Sequence, residues 1–569
     1  MRYLALATDY DGTLATDGVV SAGVVAALER VVASGRKLIL VTGRQLDDLG
    51  RTFPRLDLFH RVVAENGALL YNPATRDEKP LGEPPPAEFV EALRARGVQP
   101  LAIGRSIVAT WEPNQTAVLD VIRALGLELQ VIFNKGAVMV LPAGVNKGSG
   151  LYAALSELDL SPHNAVGIGD AENDHTFLNL CECSVAVANA LPMLKERADL
   201  VTTGAHGDGL AELVARLIAD DLRGVPVRQS LILGSRDDES EVPLAPYGMR
   251  VLVAGPSGSG KSTLAAGLME QLSERAYQMC ILDPEGDYTS LDDVITVGDS
   301  QRAPTADEAL QALENPDQDV AINLLGVPLE DRPARCAELL AALVPLDART
   351  GRPHWLILDE AHHLLPAGEE HESRALARQF PALLLITVHP DRLAAPMLGL
   401  VDVVLAVGEA PMRTLADFAR TVGLAEPAAP AAAVTLQPRE ALAWFPRTGD
   451  PPFRLRAAVS RAERNRHQRK YMQGELGPDK SFYFRGPEGR LNLRAQNLMT
   501  FLQMADGVDD ATWRYHLRRG DYARWFEEAI KDRELADFAR QLQHANDLTP
   551  AGERARLREA IERNYTLPA

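Results

Sequence analysis

Short apolar runs alternate with amphipathic stretches through residues 1–222, and YLALATDY, KLILVTG, RVVAENG, NAVGIGD, CSVAVA and ADLVTT each give way to a polar or small-residue turn. Uninterrupted apolar runs separated by helix-like segments predict strands buried on both faces, hence one doubly wound parallel α/β core. Between about 83 and 145 the rhythm changes. After GEPPP come a helix-like EFVEALRARG, strand-like PLAIG and SIVATWE, a helix-like AVLDVIRALG, and strand-like LQVIFN and AVMVLP. That order predicts an α+β cap inserted into the core.

A polar, Pro-containing stretch at 223–248 reads as a linker, and the apolar MRVLVAG then opens a second α/β unit over 249–440. AEPAAPAAAV, from 425, offers no amphipathic face and is expected to be a surface loop. Residues 441–569 are expected to hold a basic connector, RLRAAVSRAERNRHQRK, and then a small, mainly helical accessory domain built from segments such as LRAQNLMTFLQMADG and ELADFARQLQHA. Within it Trp513, His516, Asp521 and Trp525 read as core and capping residues of a module suited to protein contact.

At 569 residues the chain is expected to divide into three or four domains. Its 46% hydrophobic and 24% charged residues are those of a globular protein, no apolar run has membrane-spanning length, and the first residues lack a signal-peptide pattern. A cytoplasmic protein with no membrane partner is expected. Cys181, Cys183, Cys280 and Cys336 are too few for a disulfide framework and read as packed thiols. A formal net charge of −19 argues against non-specific adhesion to nucleic acid, so the basic run, with Glu463 as its one acid, reads first as a solvated or internally docked helix.

Against that background two sets of residues carry chemistry. Asp9-Tyr10-Asp11-Gly12-Thr13 follows the first strand directly, where open α/β sheets place their ligands. A carboxylate attacks phosphorus only if charge repulsion is offset by a divalent cation and fixed donors. Thr42 and the Gly43 amide end the second strand and suit phosphate oxygens, while Lys147 in GVNKG supplies a fixed cation. Asp170 and Asp174, in GDAEND, bring further carboxylates, with Asp174 orienting Lys147; the candidate Mg²⁺ set is Asp9, Asp11, Asp170 and Asp174.

Four such pieces in this order resemble the haloacid dehalogenase (HAD) superfamily, and the succession Asp9/Asp11, Thr42, Lys147, Asp170/Asp174 resembles its Cof-like branch. Glu65-Asn66-Gly67-Ala68 and Asn189-Ala190 fit that branch, and an insertion between the Thr42 and Lys147 motifs corresponds to a C2-type cap. The resemblance implies an aspartyl-phosphate on Asp9, proton transfer by Asp11, and Mg²⁺ held by Asp9, Asp170 and the Asp11 carbonyl. It also implies a small phosphorylated substrate such as a sugar phosphate or phosphoglycolate, contacted by cap and rim residues among which Arg44, Asn66, Arg105 and Lys135 are candidates.

The second set is Gly255-Pro-Ser-Gly-Ser-Gly-Lys-Ser, lying between the strand MRVLVA and the helix-like TLAAGLMEQLSER. That is the strand-loop-helix setting of a P-loop for ATP. Gly255, Gly258, Gly260, Lys261, Ser262 and Thr263 are the candidate nucleotide-binding residues, with Ser262 also on Mg²⁺. HWLILDE ends in Asp359-Glu360, which suits a second Mg²⁺ contact and a catalytic base for hydrolysis. Kinase, transporter-type and motor-type ATPases all use such a loop. No LSGGQ-like segment supports a transporter, and a catalytic Glu beside the second acid is less usual in a small-molecule kinase.

Residues 230–410 most resemble the HerA/FtsK group through ILDPEGDY, LILDEAHHLL and LLLITVHPDRL. The resemblance implies Thr387 or His389 at a sensor position, Asp283, Glu285 and Asp287 along the same edge, a homo-oligomeric ring, and Arg335, Arg392 or Arg413 as an arginine finger. His389 departs from that group, and the phosphatase-like segment replaces its usual N-terminal barrel. The expectation is therefore a Mg²⁺-dependent phosphomonoester hydrolase joined to an ATPase. A nucleic-acid processing enzyme, not favoured, and a paired kinase/phosphatase are the alternatives.

Overall fold

The computed structural model describes residues 1–134, 136–226, 228–288, 294–367, 379–428, 435–457, 472, 481–489, 491–530, 532–545 and 548–565. Compact units span Met1–Ala457 and Ala458–Ala569.

The first sheet is built from β1 (Ala5–Thr8), β2 (Lys37–Val41), β3 (Arg61–Ala64), β4 (Leu69–Asn72) and β5 (Asp77–Pro80). The cap strands β6 (Ala102–Ile103), β7 (Val108–Trp111), β8 (Leu129–Asn134) and β9 (Ala137–Pro142) follow, and β10 (Ala165–Gly169), β11 (Cys183–Ala186) and β12 (Leu200–Val201) complete the core. The core sheet runs β12-β11-β10-β1-β2-β3-β4-β5. Six strands are parallel, and β4 and β5 add an antiparallel edge that the apolar rhythm does not reveal, because DEKP in β5 is fully exposed. Leu6, Leu38, Leu40, Val62, Val166 and Val185 are completely buried, as strands covered by helices on both faces require. The cap has the expected αββαββ order, with helices Ala87–Ala95 and Gln115–Leu125 and an antiparallel sheet β6-β7-β9-β8.

The second sheet comprises β13 (Leu231–Ser235), β14 (Glu241–Leu244), β15 (Arg250–Ala254), β16 (Met279–Asp283), β17 (Val294–Val297), β18 (Asp319–Asn323), β19 (Trp355–Leu358), β20 (Leu383–Thr387), β21 (Val403–Ala406), β22 (Glu440–Trp444) and β23 (Phe453–Ala457). Its order is β14-β13-β23-β22-β21-β15-β20-β19-β16-β18-β17. The expected linker at 223–248 therefore contains a hairpin, β13-β14, that joins this sheet by pairing with β23. The start of the expected connector likewise supplies β22 and β23. The alternating apolar residues Leu231, Leu233, Val242 and Leu244 pack under the sheet, a period-two signal hidden among charged turn residues.

The two sheets meet at strand beginnings. Glu182, just before β11, is almost wholly buried and accepts from Arg2 (2.5 Å) and the Tyr277 hydroxyl (2.9 Å), with His163 Nδ1 at 2.7 Å. His163 stacks on Tyr277 with ring centroids 3.8 Å apart, and its Nε2 faces the Arg275 carbonyl at 2.8 Å. His354, before β19, packs edge-on against both rings. Arg352 is fully buried and donates to the Asp159 carbonyl of the first half and to Gln278, Leu313 and Glu314 of the second.

Residues 458–569 form a separate small body with its own aromatic core, in which a hairpin (Phe482–Phe484, Leu493–Ala495) packs with helices that include Leu498–Gly507, Asp510–Arg518 and Arg533–His544. Trp513 and His516 are buried as expected: Trp513 donates to Glu553, and His516 pairs with Asp521 at 2.9 Å. The basic run beyond Ala457 lies outside the described residues. All four cysteines are buried and none is in a disulfide. No helix among the described residues is long and apolar enough to cross a membrane.

Burial alone would push the Glu182 carboxyl up, but the His163 hydrogen bond and charge and the Arg2 charge more than offset it, so it titrates below its ordinary 4.5. A depressed native pKa stabilises the fold above the unfolded value, and that contribution is lost as pH falls through the native one. Glu182→Gln is expected to cost about 1–3 kcal/mol in urea unfolding at neutral pH. The gap from the parent protein should close as pH drops below 4.5. A gap that stays constant into the acid range would show that the carboxylate charge is not what holds this junction.

Candidate functional site

Parallel pairing of β1 with β10 sets Thr8 beside Ile168, and the pairing continues with Asp9 N donating to Ile168 O at 3.0 Å. Asp9 and Asp170 thus emerge side by side at the carboxyl ends of neighbouring strands. Carboxylate oxygens of Asp9, Asp170 and Asp174 lie within 4.8 Å of one another, and all three residues are buried.

Lys147 is placed by a helix start. Asn146 caps the helix Lys147–Ser156 by accepting from the Gly148 and Ser149 amides, and Ser149 completes a capping box. A buried ammonium at the positive end of a helix is unfavourable unless anions face it. Two do: Lys147 Nζ donates to Asp9 Oδ1 at 2.5 Å and to Asp174 Oδ1 at 2.6 Å. The other Asp174 oxygen accepts from the Asp170 and Ala171 amides, both at 2.9 Å. Thr13 Oγ1 donates to Asp170 Oδ1 at 3.1 Å.

Burial pushes the Asp9 carboxyl up to about 8, and the Asp174 and Asp170 charges push the same way against Lys147. Burial pulls the Lys147 ammonium down, yet Asp174 and Asp9 outweigh it and leave its pKa raised. One ammonium among three carboxylates leaves a net negative, oxygen-rich cluster, a donor set that fits a hard divalent cation.

Thr42 is fully buried at the end of β2, where its hydroxyl accepts from Arg44 N at 3.1 Å. The structure turns the Asp11 carboxylate toward Arg44, which grips it with two 2.7 Å hydrogen bonds and also reaches Asp48. Asp11 is thereby outside the three-carboxylate cluster, and Arg44 is tied to Asp11 before any substrate arrives. Asn66 is buried, accepts from Asn173 at 2.9 Å and donates to Met139 of the cap. Arg105 is drawn away to Asp47 and Glu78 at the surface. Lys135 lies outside the described residues.

Three residues have roles that the sequence did not assign. Glu65 is buried with φ 53°, and its carboxylate accepts from the Arg105 and Ser106 amides of the β6–β7 turn, so it straps the cap to the core. Asn173 holds Asn66, and His206, with Asn189, contacts the Gly12 carbonyl. Each lies at a strand end or helix start, but nothing in residue type distinguishes it from an ordinary turn residue.

In the second sheet the Gly255–Gly260 loop joins β15 to the helix Lys261–Glu274. A side chain at Gly255 would meet Val407 O at 2.4 Å, and Gly258 and Gly260 have φ of 74° and 96°. Lys261 donates to Pro256 O, and burial lowers its pKa against the raising charges of Glu360, Asp359 and Glu285. Ser262 and Thr263 open the helix behind it. Asp359 ends β19, and burial pushes it up to about 6. Asp283 accepts from the amides of Glu285, Gly286 and Tyr288 and so builds the loop that carries Glu285 and Asp287, whose charges, after burial, push the Glu360 carboxyl up against the pull of Lys261. Thr387 ends β20, which lies between the P-loop strand and β19, and accepts from His389 N. Of the arginine-finger candidates, Arg335 pairs with Glu338 on its own helix, Arg392 lies near enough to His362 to influence its charge, and Arg413 starts the helix Pro411–Val422.

The chain belongs to the haloacid dehalogenase-like hydrolases, whose family model matches residues 6–115 and 120–214. An AAA ATPase domain follows, matched over 241–388; this match gives the ATPase class without specifying the HerA/FtsK group. The chain is 34% identical over 225 residues to the phosphoglycolate phosphatase of Methanothermobacter thermautotrophicus, covering 38% of this chain and 98% of that protein. It is 28% identical over 228 residues to phosphoglycolate phosphatase 2 of Saccharolobus solfataricus, covering 38% and 93%. A solved haloacid dehalogenase-like hydrolase from Bacteroides thetaiotaomicron aligns with a TM-score of 0.34 at 20% identity, over 38% of this chain and 99% of that one.

Gly12 has φ 91°, and a side chain there would sit 2.4 Å from Asp170 Oδ2. Gly12→Ala is therefore expected to displace Asp170 and cut phosphatase kcat/KM by about 100-fold or more, the scale on which a misplacement of about 1 Å acts. Retention of parent-level activity would mean that Asp170 is not held where the chemistry needs it.

Proposed function

We propose that residues 1–222 hydrolyse a small phosphomonoester through a covalent phosphate on Asp9, with phosphoglycolate or a sugar phosphate as the substrate class. The observation that carries this reading is the Lys147 ammonium held 2.5 Å from Asp9 and 2.6 Å from Asp174, beside Asp170. The names of the relatives favour phosphoglycolate among small phosphates. Asp9 and Asp170 are the residues assigned to Mg²⁺, which neutralises phosphate and nucleophile when bound. Asp174 spends both oxygens on Lys147 and two amides, and is assigned to orientation.

An Asp9 oxygen attacks phosphorus, the bond from phosphorus to the leaving oxygen breaks, and Asp11 gives that oxygen a proton. Asp11 then takes a proton from the water that cleaves the acyl phosphate, returning Asp9 as carboxylate and releasing inorganic phosphate. Arg44, which holds both Asp11 oxygens, has to release one of them for Asp11 to carry that proton, and the Thr42 hydroxyl and Gly43 amide are assigned to the transferred oxygens. Glu65 keeps the cap over the site, where it excludes water from the first step. Residues 231–457 bind ATP at the Gly255–Thr263 loop, with Ser262 and Asp359 toward Mg²⁺ and Glu360 as the base that takes a proton from the attacking water.

Purified full-length protein should release phosphate from phosphoglycolate or a sugar phosphate in the presence of Mg²⁺ and lose that activity with a chelator. Asp9→Asn should reduce it by at least about 1,000-fold while leaving ATP hydrolysis intact, and Lys261→Ala should do the reverse. Phosphatase activity that survives Asp9→Asn would reject the assignment of the nucleophile.

A further inference from the structure

The carboxyl ends of β19 and β20 carry His362, His363 and His389 beside Glu360 and Thr387, and the P-loop chemistry assigns nothing to His362 or His363. Glu360 has φ 38° and ψ 49°, a left-handed conformation that costs a non-glycine residue energy and persists only where neighbours enforce it. Its Oε2 is buried without a hydrogen-bond partner. His362 Nδ1 lies 3.3 Å from that oxygen and 3.2 Å from Thr387 Oγ1. His363 packs against the His362 ring at 4.0 Å and His389 meets it edge-on at 5.7 Å, which fixes the plane of the imidazole. Lys261 faces Glu360 closely enough to oppose the rise in its pKa.

We propose that His362 is a positioning residue for ATP hydrolysis, linking the Thr387 hydroxyl to the Glu360 carboxylate and setting the direction in which that carboxylate meets the attacking water. The inference rests on the assignment of Glu360 as the base. In the reaction Glu360 takes a proton from water, the water oxygen bonds to the γ-phosphorus, and the bond from that phosphorus to the ADP oxygen breaks.

Burial, then the nearby His363, His389, Arg392 and Lys261, pull the His362 imidazole down to about 4, so the ring is neutral near pH 7. A neutral ring has one N–H, so Nδ1 serves one neighbour at a time. It accepts from the Thr387 hydroxyl while Nε2 holds the proton, and donates to Glu360 after the tautomer changes. Thr387 sits on the strand between the P-loop strand and β19, so the chain Thr387–His362–Glu360 ties the base to the strand adjoining the P-loop. A solvated histidine would not show both contacts together with a ring plane fixed by two further imidazoles.

The test compares full-length parent, His362→Ala, His362→Asn and Thr387→Ala, with ATP turnover read by phosphate release and nucleotide affinity by titration of a fluorescent ATP analogue. His362→Ala is expected to lower kcat about 10- to 100-fold with affinity within about twofold of the parent, since alignment of the base is lost and the phosphate cradle is untouched. His362→Asn, which places a polar atom near the Nδ1 position, should recover part of the loss. The double variant His362→Ala/Thr387→Ala should be little worse than His362→Ala, as expected for two members of one chain. Parent-like turnover in His362→Ala, or a loss that Asn leaves uncorrected and that tracks weakened nucleotide binding, would overturn the inference. Absence of Lys261-dependent hydrolysis in the parent would instead overturn the ATPase assignment and this inference with it.

Discussion

The buried carboxylate of Glu182 decides how the two halves of Met1–Ala457 relate. It draws Arg2, His163 and Tyr277 to one point, and that point lies at strand beginnings in both halves. His163 and Asn164 lead into β10, which ends beside Asp170. Tyr277 and Gln278 lead into β16, and His354 into β19, which ends at Asp359. Parallel sheets concentrate their chemistry at carboxyl ends, so joining them at amino ends keeps the junction away from both sets of strand-end residues. A five-residue strand spans roughly 17 Å, so each site lies about that far beyond the junction.

Within the first half the same electrostatic logic recurs at Lys147. An ammonium buried at a helix start is tolerable only because Asp9 and Asp174 face it, and the two carboxylates are tolerable only because of the ammonium. The balance is left negative by Asp170. Burial and the neighbouring Asp174 and Asp170 charges raise the Asp9 pKa against the pull of Lys147, so the cluster holds more negative charge than its one ammonium offsets. The Glu65 strap adjoins this arrangement: it occupies the turn between β3 and β4 and fastens the cap to the core.

Legibility from sequence followed physical type. Parallel strands buried on both faces announce themselves as apolar runs, so the two α/β cores, the cap order and the strand-end placement of Asp9, Asp170 and Asp359 could be read directly. The antiparallel edges could not. β5 is wholly polar and exposed, and β13-β14 alternates apolar and polar residues in a stretch whose Pro and acidic residues suggest a linker. Side-chain direction was also out of reach: Arg44 and Arg105 are cations of the expected region, yet one is committed to Asp11 and the other to Asp47 and Glu78. Spacing places a residue on an element, while competition among neighbouring acids decides where its charge goes.

His362 shows the same division from the other side. Its place in DEAH carries no information on its own, since a histidine after two acids is as often a solvated turn residue. What gives it meaning is the sheet order, which sets β20 next to β19 and so brings the Thr387 hydroxyl opposite an imidazole that Glu360 also reaches. Strand order is a long-range property that no local window contains. Glu360 itself has a left-handed backbone, and its Oε2 lies 3.3 Å from His362 Nδ1, within reach of the Lys261 charge.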